Sequence, residues 1–176
     1  MTELVRIAEP TEETVERSKT VADSGIDVAA EQAGGTLGDG GVGSMATIAA
    51  IRYAVFVVEQ GVDVAIEWDD KETIAEHILL IGDERAIGTA RVRPVDGDAL
   101  KCERIAVRSS VRGAGWGERL MEVCESIAHE HGVTECILHA QQRVADFYKQ
   151  QGYVVIGDPF EEAGIPHVKM RFELSS

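Results

Sequence analysis

A glycine-rich turn in the second half of the chain combines residue types that suit the binding of an anion. Residues 112–117 read RGAGWG; they follow a run rich in β-branched residues and open a helical pattern. The first N–H groups of a helix lack partners within the helix, and the helix dipole adds positive potential there. Glycines allow an anion to approach these groups closely, and Arg112 adds a fixed positive charge. The turn therefore predicts a binding site for a diphosphate.

The spacing of the glycines excludes two common diphosphate sites. A dinucleotide fingerprint has the spacing G-x-G-x-x-G, whereas this turn reads G-x-G-x-G. The loop of nucleoside triphosphatases needs a lysine followed by serine or threonine, and here Glu118 follows the last glycine. The remaining pattern is Arg-x-x-Gly-x-Gly. Its alternative interpretation is a tight turn or a close approach between a helix and its neighbour.

The pattern Arg-x-x-Gly-x-Gly resembles the pyrophosphate-binding motif of the GCN5-related N-acetyltransferases (GNAT), which bind acetyl-coenzyme A. The strand "CERIAV" before the turn and the segment "ILHAQQRVADFYKQQGYVVIG" after it are similar to the corresponding parts of this family. The segments "IRYAVFVVEQGV", "EWDD" and "EAGIPH" further resemble its ElaA-like branch. The resemblance covers residues 47–173 and implies the acyltransferase fold of the family.

The resemblance implies a set of residues that bind acetyl-coenzyme A. Backbone groups of the strand before the turn would bind the pantetheine arm, and backbone amides of the turn would hold the pyrophosphate. Gln141 stands where many family members have an asparagine, so the amide is kept but its reach differs. The implied set is Ile105, Ala106, Val107, Arg112, Gly113, Ala114, Gly115, Trp116, Gly117, Gln141 and Tyr148.

Acetyl transfer to an amine needs a group that accepts a proton and a group that donates one. Tyr148 matches the family position for the proton donor, and a phenol with a pKa of about 10 stays protonated at neutral pH. Glu103, on the strand that leads to the turn, is the candidate proton acceptor. Its alternative is a solvated glutamate paired with Arg91, Arg93 or Lys101. A base role for Glu59, or a water relay, also stays open.

Two residues are predicted to line the acceptor site. The resemblance places Glu59 near the acceptor, with a salt bridge in a loop as the alternative. His167 follows a proline at the start of a strand and could titrate near neutral pH, although a lone histidine can also be structural. His139 lies in an apolar strand. Because no histidine cluster has the spacing of zinc ligands, we expect no metal.

The charge of the chain limits its partners. The net charge of −14 at pH 7 argues against a nucleic-acid surface and against an anionic membrane. It indicates either a halophilic-type acidic surface or attraction of a cationic substrate. The sequence shows neither a long apolar run nor a signal-peptide core, so we expect a cytoplasmic protein. Three cysteines lie in apolar runs and are interpreted as core residues: Cys102, Cys124 and Cys136.

The elements that must position these residues follow from periodicity and turn signals. Residues 1–44 are predicted to hold a strand (3–9), a helix capped by Thr11 (11–25) and a flexible glycine-rich segment; residues 45–176 form the acetyltransferase domain. That domain is predicted to begin with a helix from Ser44. Three strands follow, the first two joined at Asp83-Glu84, and then a helix (115–130), a strand, a short helix and two strands. A strand–helix–strand crossover over 100–140 implies one parallel pair in an otherwise mostly antiparallel sheet. The fold class is therefore mixed α/β, with a central sheet flanked by helices.

The sequence thus predicts an N-acetyltransferase that moves an acetyl group from acetyl-coenzyme A directly to an amine in a ternary complex. The acceptor is a small molecule or a peptide. Two alternatives stay open: a coenzyme A-binding sensor without turnover, and a nucleotide-binding interaction protein that uses the same turn. A homodimer also stays open.

Overall fold

The computed structural model describes residues 2–8, 10–16, 42–82 and 85–175. The chain divides into two compact units. The first comprises Met1–Arg91 and Arg104–Leu120, and the second comprises Val92–Glu103 and Met121–Ser176. Two strands and the longest helix contribute residues to both units.

The first unit contains a sheet with the strand order β1-β2-β3-β4. Strand β1 runs antiparallel to β2, in a register from Thr2↔Gly82 to Ala8↔Glu76. The elements of this unit, in chain order, are β1 (Thr2–Ala8), α1 (Val42–Arg52), a π-helix (Tyr53–Glu59), α2 (Val64–Glu67), a 3₁₀ turn (Glu72–Ile74), β2 (Glu76–Gly82), the first part of β3 (Arg85–Val95), the last part of β4 (Ala99–Val107), a second 3₁₀ turn (Ser109–Val111) and the start of α3 (Trp116–Glu130).

The N-terminal predictions are confirmed where the structure describes them. Strand β1 matches the strand predicted for residues 3–9. Residues 12–16 are helical, and Thr11 caps them, because its side-chain oxygen accepts a hydrogen bond of 3.2 Å from the Thr14 N–H. The rest of the helix predicted to residue 25, the glycine-rich residues up to 41 and the turn at Asp83-Glu84 lie outside the described residues.

The helix predicted from Ser44 begins two residues earlier and changes type. It starts at Val42. Ile48, Ile51 and Val55, which recur at helical spacing, are buried, whereas Val58, which continues the same pattern, is 67% exposed. From Tyr53 the helix continues as a π-helix, where the β-branched run Val55-Phe-Val-Val58 lies. Branched side chains crowd the preceding turn of an α-helix, and the wider π-helix is one way to relieve this crowding.

The second unit contains the strand order β4-β5-β8-β6, with β7 paired to β8. Strands β4 and β5 are parallel, as the crossover predicted, and β8 pairs antiparallel with β5, β6 and β7. Its elements are the first part of β4, the rest of α3, β5 (Glu135–Gln141), a 3₁₀ turn (Gln142–Val144), α4 (Ala145–Gln150), β6 (Val154–Val155), β7 (Phe160–Glu162) and β8 (Ile165–Glu173). The predicted class, a mixed α/β fold with a mostly antiparallel sheet, is confirmed.

Two details of this unit differ from the prediction. The segment predicted to separate the last two strands contains β7, which forms a hairpin with β8. Ala163 and Gly164 make the turn, with φ angles of 52° and 73°, the left-handed pair typical of a type I′ hairpin. Strand β6 is also shorter than predicted, because only Val154 and Val155 pair with β8.

The predicted core role of the cysteines is confirmed. Cys102, Cys124 and Cys136 are all free thiols and all buried. The neighbouring Cys124 thiol, together with burial, raises the pKa of the Cys102 thiol well above its usual value. Among the helices of the described residues, none has the length and apolar character needed to cross a membrane.

Candidate active site

In the first unit, the glycine-rich turn presents a row of unpartnered N–H groups. Between Gly113 and Glu118, no N–H donates a hydrogen bond to another group in the described part of the chain; the next one, of Arg119, bonds the Gly115 carbonyl at 3.1 Å. Gly113 and Gly115 have φ angles of 79° and 82°, and a Cβ at either position would meet nothing within 4 Å. The glycines are therefore required by backbone conformation, and the space beside them is open.

Arg112 is held at the mouth of this turn by two contacts. Its Nε donates to the Val107 carbonyl at 2.9 Å, and its Nη2 lies 2.7 Å from Glu59 Oε2. Both side chains of this ion pair are partly exposed. The structure thus brings together Glu59, predicted for the acceptor, and Arg112, predicted for the cofactor.

The strand before the turn has one closely packed side. Ala106 is buried, and a Cβ on Gly88 would come within 2.7 Å of the Ala106 carbonyl oxygen. Gly88 therefore permits a close approach of β3 to β4. Ile105 and Val107 are partly buried. Trp116 is also partly buried, and its ring lies close to Gly82, which agrees with a packing role.

Arg104 lies within β4, just before this segment, and has an unusual backbone conformation. Its φ angle is 54°, a left-handed conformation that is uncommon for a residue other than glycine. Its Nε lies 2.9 Å from Glu67 Oε2, and its Nη2 donates to the Glu67 carbonyl at 3.0 Å. Nη2 also lies 3.5 Å from Asp69 Oδ2. The side chain is thereby fixed to the segment that follows the π-helix.

Glu67 and Asp69 belong to a buried ion cluster. Arg91 binds both Asp69 oxygens, at 2.7 and 2.9 Å, and Glu72 Oε1 at 2.7 Å. Arg52 pairs with Glu67 and, at 3.0 Å, with Glu72. The sequence patterns did not indicate this cluster, although "EWDD" stood out for its resemblance to the ElaA-like branch. The one signal was the density of carboxylates in "EWDDKE" beside isolated arginines in apolar elements.

Burial and the neighbouring charges shift the pKa values of this cluster in different directions. Burial by itself would raise the pKa of Asp69, but the hydrogen bond and charge of Arg91, with the charge of Arg104, hold it well below its usual value. Burial raises the pKa of Glu72 despite the two arginines. Burial also lowers the pKa of His77, whose Nε2 lies 2.9 Å from the Glu72 carbonyl, to about 4.

In the second unit, Glu103 is held by two cations. Its oxygens lie 3.0 and 3.1 Å from Nε and Nη2 of Arg93, and Oε1 lies 2.9 Å from Lys101 Nζ. This arrangement agrees with the alternative interpretation of a paired glutamate. To accept a proton, the carboxylate would have to give up part of these ion pairs.

Tyr148 lies on α4 and is buried. Its ring packs edge-on against Phe147 and Tyr153, with centroid distances of 4.9 and 6.1 Å. Burial raises the pKa of its phenol above the usual value, so the group remains protonated at neutral pH. A protonated phenol is the state that a proton donor requires.

His167 and Gln141 are cross-strand neighbours on β8 and β5. The ring of His167 is buried, with Nδ1 2.7 Å from the Ile165 carbonyl, and it stacks on Phe160 at a centroid distance of 5.9 Å. The Gln141 side-chain oxygen accepts a hydrogen bond of 2.8 Å from Arg143. Directly paired residues of neighbouring strands point to the same face, so both side chains lie on one face of the sheet.

His139 lies on that same face, two residues before Gln141. Its Nδ1 is 2.8 Å from Glu162 Oε2, and its ring packs edge-on against Phe160 at a centroid distance of 4.8 Å. The sequence indicated no role for this residue. Glu162 reaches it only because of the β7–β8 hairpin, which the sequence analysis did not predict.

Comparison with known proteins shows the family of this chain. Residues 51–174 match the acetyltransferase (GNAT) domain family. The N-acetyltransferase YjcF of Bacillus subtilis, described as uncharacterized, is 41% identical over 121 residues, which cover 68% of this chain and 86% of YjcF. ElaA of Escherichia coli is 31% identical over 137 residues, which cover 76% of this chain and 90% of ElaA. The chain therefore belongs to the GNAT acetyltransferase family, and its relatives include ElaA.

Solved structures agree with this fold. The crystal structure of Escherichia coli ElaA superposes with a TM-score of 0.67 at 22% identity and covers 97% of this chain and 99% of its own. An acetyltransferase of Bacillus subtilis in complex with coenzyme A superposes with a TM-score of 0.53 at 15% identity and covers 61% of this chain and 82% of its own. Both likenesses concern the fold.

Proposed function

We propose that this protein is an acetyl-coenzyme A-dependent N-acetyltransferase that transfers the acetyl group directly to an amine. The observation that carries the proposal is the row of unpartnered N–H groups from Gly113 to Glu118, with Arg112 beside it, in a chain of the GNAT family. The net charge of −14 disfavours the binding of anions in general. A local site that suits an anion in such a chain therefore favours a specific anionic ligand.

The residues of the first unit suit the diphosphate of coenzyme A. The N–H groups of the turn would donate to phosphate oxygens at the start of a 15-residue helix, and Arg112 would add charge. Backbone groups of Ile105, Ala106 and Val107 would bind the pantetheine arm. Acetyl-coenzyme A supplies the acetyl group as a thioester, which an amine can attack.

Two catalytic residues are part of the proposal. Tyr148 would donate a proton to the leaving sulfur, and its protonated state supports this role. Glu103, which pairs with Arg93 and Lys101, would accept the proton of the amine directly or through water. Direct transfer in a ternary complex needs no covalent enzyme intermediate, and the burial of all three cysteines supports this.

The acceptor is proposed to be an amine of a small molecule or a peptide. Glu59 and His167 stay the residues predicted to bind it. His167 Nδ1 lies within hydrogen-bond distance of a carbonyl oxygen, so Nδ1–H donates and Nε2 keeps a lone pair for a ligand. The cytoplasmic location, the boundary at residue 44 and a homodimer stay predictions.

The proposal is tested by release of free thiol from acetyl-coenzyme A across a panel of amines, at low and high salt. Binding of coenzyme A is measured in parallel by calorimetry, with Arg112→Gln as a variant that should bind more weakly. Thiol release that depends on an added amine supports the proposal. Binding without release across the panel favours a coenzyme A sensor. Displacement of coenzyme A by ATP or NAD at equal concentration favours a nucleotide-binding protein.

A further inference from the structure

We propose that His139, oriented by Glu162, accepts the proton that the amine loses during acetyl transfer. The inference rests on the proposed function and deepens it, because it assigns to His139 the role predicted for Glu103. Three observations carry it: the contacts of the imidazole, the ion pairs of Glu103, and the position of both residues in the sheet.

The contacts of His139 define which ring nitrogen is available. Nδ1 lies 2.8 Å from Glu162 Oε2, a distance at which Nδ1–H donates to the carboxylate. Lys101 Nζ is 3.4 Å from the same nitrogen, but it is closer, at 2.9 Å, to Glu103. With the hydrogen on Nδ1, the lone pair is on Nε2. Within the described ranges of the chain, Nε2 of His139 makes no hydrogen bond.

An imidazole whose Nδ1–H donates a hydrogen bond to a carboxylate is a recognised arrangement for a general base. The carboxylate fixes the tautomer and the ring orientation, and it stabilises the imidazolium that forms. The hydrogen bond from His139 holds the pKa of Glu162 below its usual value, so Glu162 is ionised at neutral pH. Phe160 packs edge-on against the ring at 4.8 Å and restricts its rotation.

Glu103 is less suited to the same task. Arg93 and Lys101 occupy its oxygens, and its side chain is only 8% exposed, whereas that of His139 is 27% exposed. An amine can therefore approach His139 without first breaking an ion pair. In this proposal Glu103 holds Lys101, so that the lysine does not compete for the imidazole.

The position of His139 in the sheet agrees with this role. Parallel pairing of β4 with β5 ends at Cys102↔Leu138, and Glu103 and His139 are the next residues of the two strands. Strand β5 continues to pair with β8 as far as Gln141↔His167. His139 therefore lies just past the point where the pairing of β5 with β4 ends, on the face that also carries His167.

The proposed step balances as follows. The amine nitrogen forms a bond to the acetyl carbon as the carbon–sulfur bond breaks, and the electron pair of that bond goes to sulfur. His139 Nε2 takes the proton that the nitrogen loses, and the Tyr148 hydroxyl supplies the proton that sulfur gains. One proton then passes through solvent from the imidazolium to the tyrosinate, which restores both residues. The products are an amide and a free thiol.

The charges that face His139 must be considered together in any pH profile. They are Glu162 on β7, Lys101 on β4 with its partner Glu103, Lys169 as the cross-strand neighbour on β8, and His167 across Phe160. Glu162 places a negative charge beside the imidazole, and Lys101 and Lys169 place positive charges near it. A general base must be unprotonated to accept a proton, so kcat/KM of the wild type should fall at acidic pH. A His139 variant should no longer show this fall.

The first arm of the test compares His139→Gln, Glu162→Gln, Glu162→Asp and Glu103→Gln, with His129→Gln as the matched control on the exposed helix end. We expect His139→Gln to lower kcat/KM by roughly 100-fold or more, the usual contribution of a general base. Its affinity for coenzyme A by calorimetry should match the wild type. Glu162→Gln should show a smaller loss that Glu162→Asp partly restores, and the control should be unchanged.

The second arm does not depend on turnover. Nitrogen-15 NMR of the imidazole rings at neutral pH should show His139 as the Nδ1–H tautomer, and Glu162→Gln should shift that signal. An Nε2–H tautomer of His139 overturns the proposal. A fall in kcat/KM that is larger for Glu103→Gln than for His139→Gln also overturns it. A wild type that binds coenzyme A but turns over no amine counts against the proposed function; the NMR result then decides separately whether the dyad exists.

Discussion

Acidification from pH 7 to pH 4.5 is expected to destabilise this protein through His77, and His77→Gln should remove that part of the loss. His77 is fully buried beside Arg52 and Arg91, and its Nε2–H donates to the Glu72 carbonyl at 2.9 Å. Burial is the main reason that its pKa falls from 6.5 to about 4; the hydrogen bond opposes the fall, and the two arginines add to it.

The sign follows from the protons bound in each state. Between pH 6.5 and pH 4, the unfolded chain carries a proton on His77 and the folded chain does not, so stability falls as the pH falls. One pKa unit corresponds to about 1.4 kcal/mol, which gives a loss of roughly 2–2.5 kcal/mol between pH 7 and pH 4.5. Glu72 has a raised pKa and acts in the opposite direction. Its contribution to the free energy of unfolding is present at low pH and is lost as the pH rises above the usual pKa of a glutamate. Asp69 has a lowered pKa, so its contribution is lost mainly below its usual value of 3.8, outside this window.

The assay is urea unfolding of the wild type and His77→Gln at several pH values from 7 to 4.5. Glutamine can still donate a hydrogen bond to the Glu72 carbonyl, but its side chain does not take up a proton in this pH range. The variant therefore removes the protonation of His77 and keeps the hydrogen bond. The free energy of unfolding of the variant should depend less steeply on pH, by roughly 2 kcal/mol over the range, with an unchanged m-value. Equal slopes for the two proteins would refute the assignment of this pH dependence to His77.

Four further changes test other parts of the structure. Gly115→Ala should destabilise by about 1 kcal/mol, as should Gly97→Ala, which has a similar φ of 84° and equally open space; only the first should weaken coenzyme A binding by calorimetry. Glu59→Gln should tighten coenzyme A binding at low salt and have little effect at high salt, since it removes a partly exposed negative charge beside the turn; a change in the KM for the amine alone would favour the predicted acceptor role. Tyr148→Phe should lower kcat by about 100-fold or more while changing coenzyme A affinity far less, and an unchanged kcat would exclude it as proton donor. Ala163→Asn should raise the free energy of unfolding by about 0.5 kcal/mol, because asparagine tolerates the φ of 52° in the hairpin turn; a loss of stability would contradict the turn type.

Local patterns in the sequence were sufficient to predict most elements. The turn at 112–117, the strand before it and the helix after it follow from glycine spacing and from periodicity, and these signals lie within one short segment. Ile48, Ile51 and Val55 recur at helical spacing and are buried, whereas Val58, which continues the pattern, is exposed. Each of these predictions needed only neighbours in the chain.

Interactions between distant segments account for what the sequence did not reveal. Arg52, Glu72 and Arg91 are widely separated in the chain, and nothing local indicates that they meet in one buried cluster. The β7–β8 hairpin was missed because its turn is Ala-Gly, and alanine is a poor signal for a left-handed turn position. Without that hairpin, the pairing of His139 with Glu162 could not be predicted.

The buried ion cluster explains why Arg104 has a left-handed conformation. It is less able to explain the stability of the fold. Buried ion pairs often contribute little overall, because the cost of desolvating the charges offsets their attraction. A non-glycine residue with φ of 54° costs on the order of 1–3 kcal/mol and persists only where its surroundings determine it. Glu67 provides this constraint, since its carboxylate and its carbonyl both bind the Arg104 guanidinium, and Arg52 holds Glu67 in turn. The chain thereby fixes the direction of β4 immediately before Ile105, where the backbone is proposed to meet the pantetheine arm.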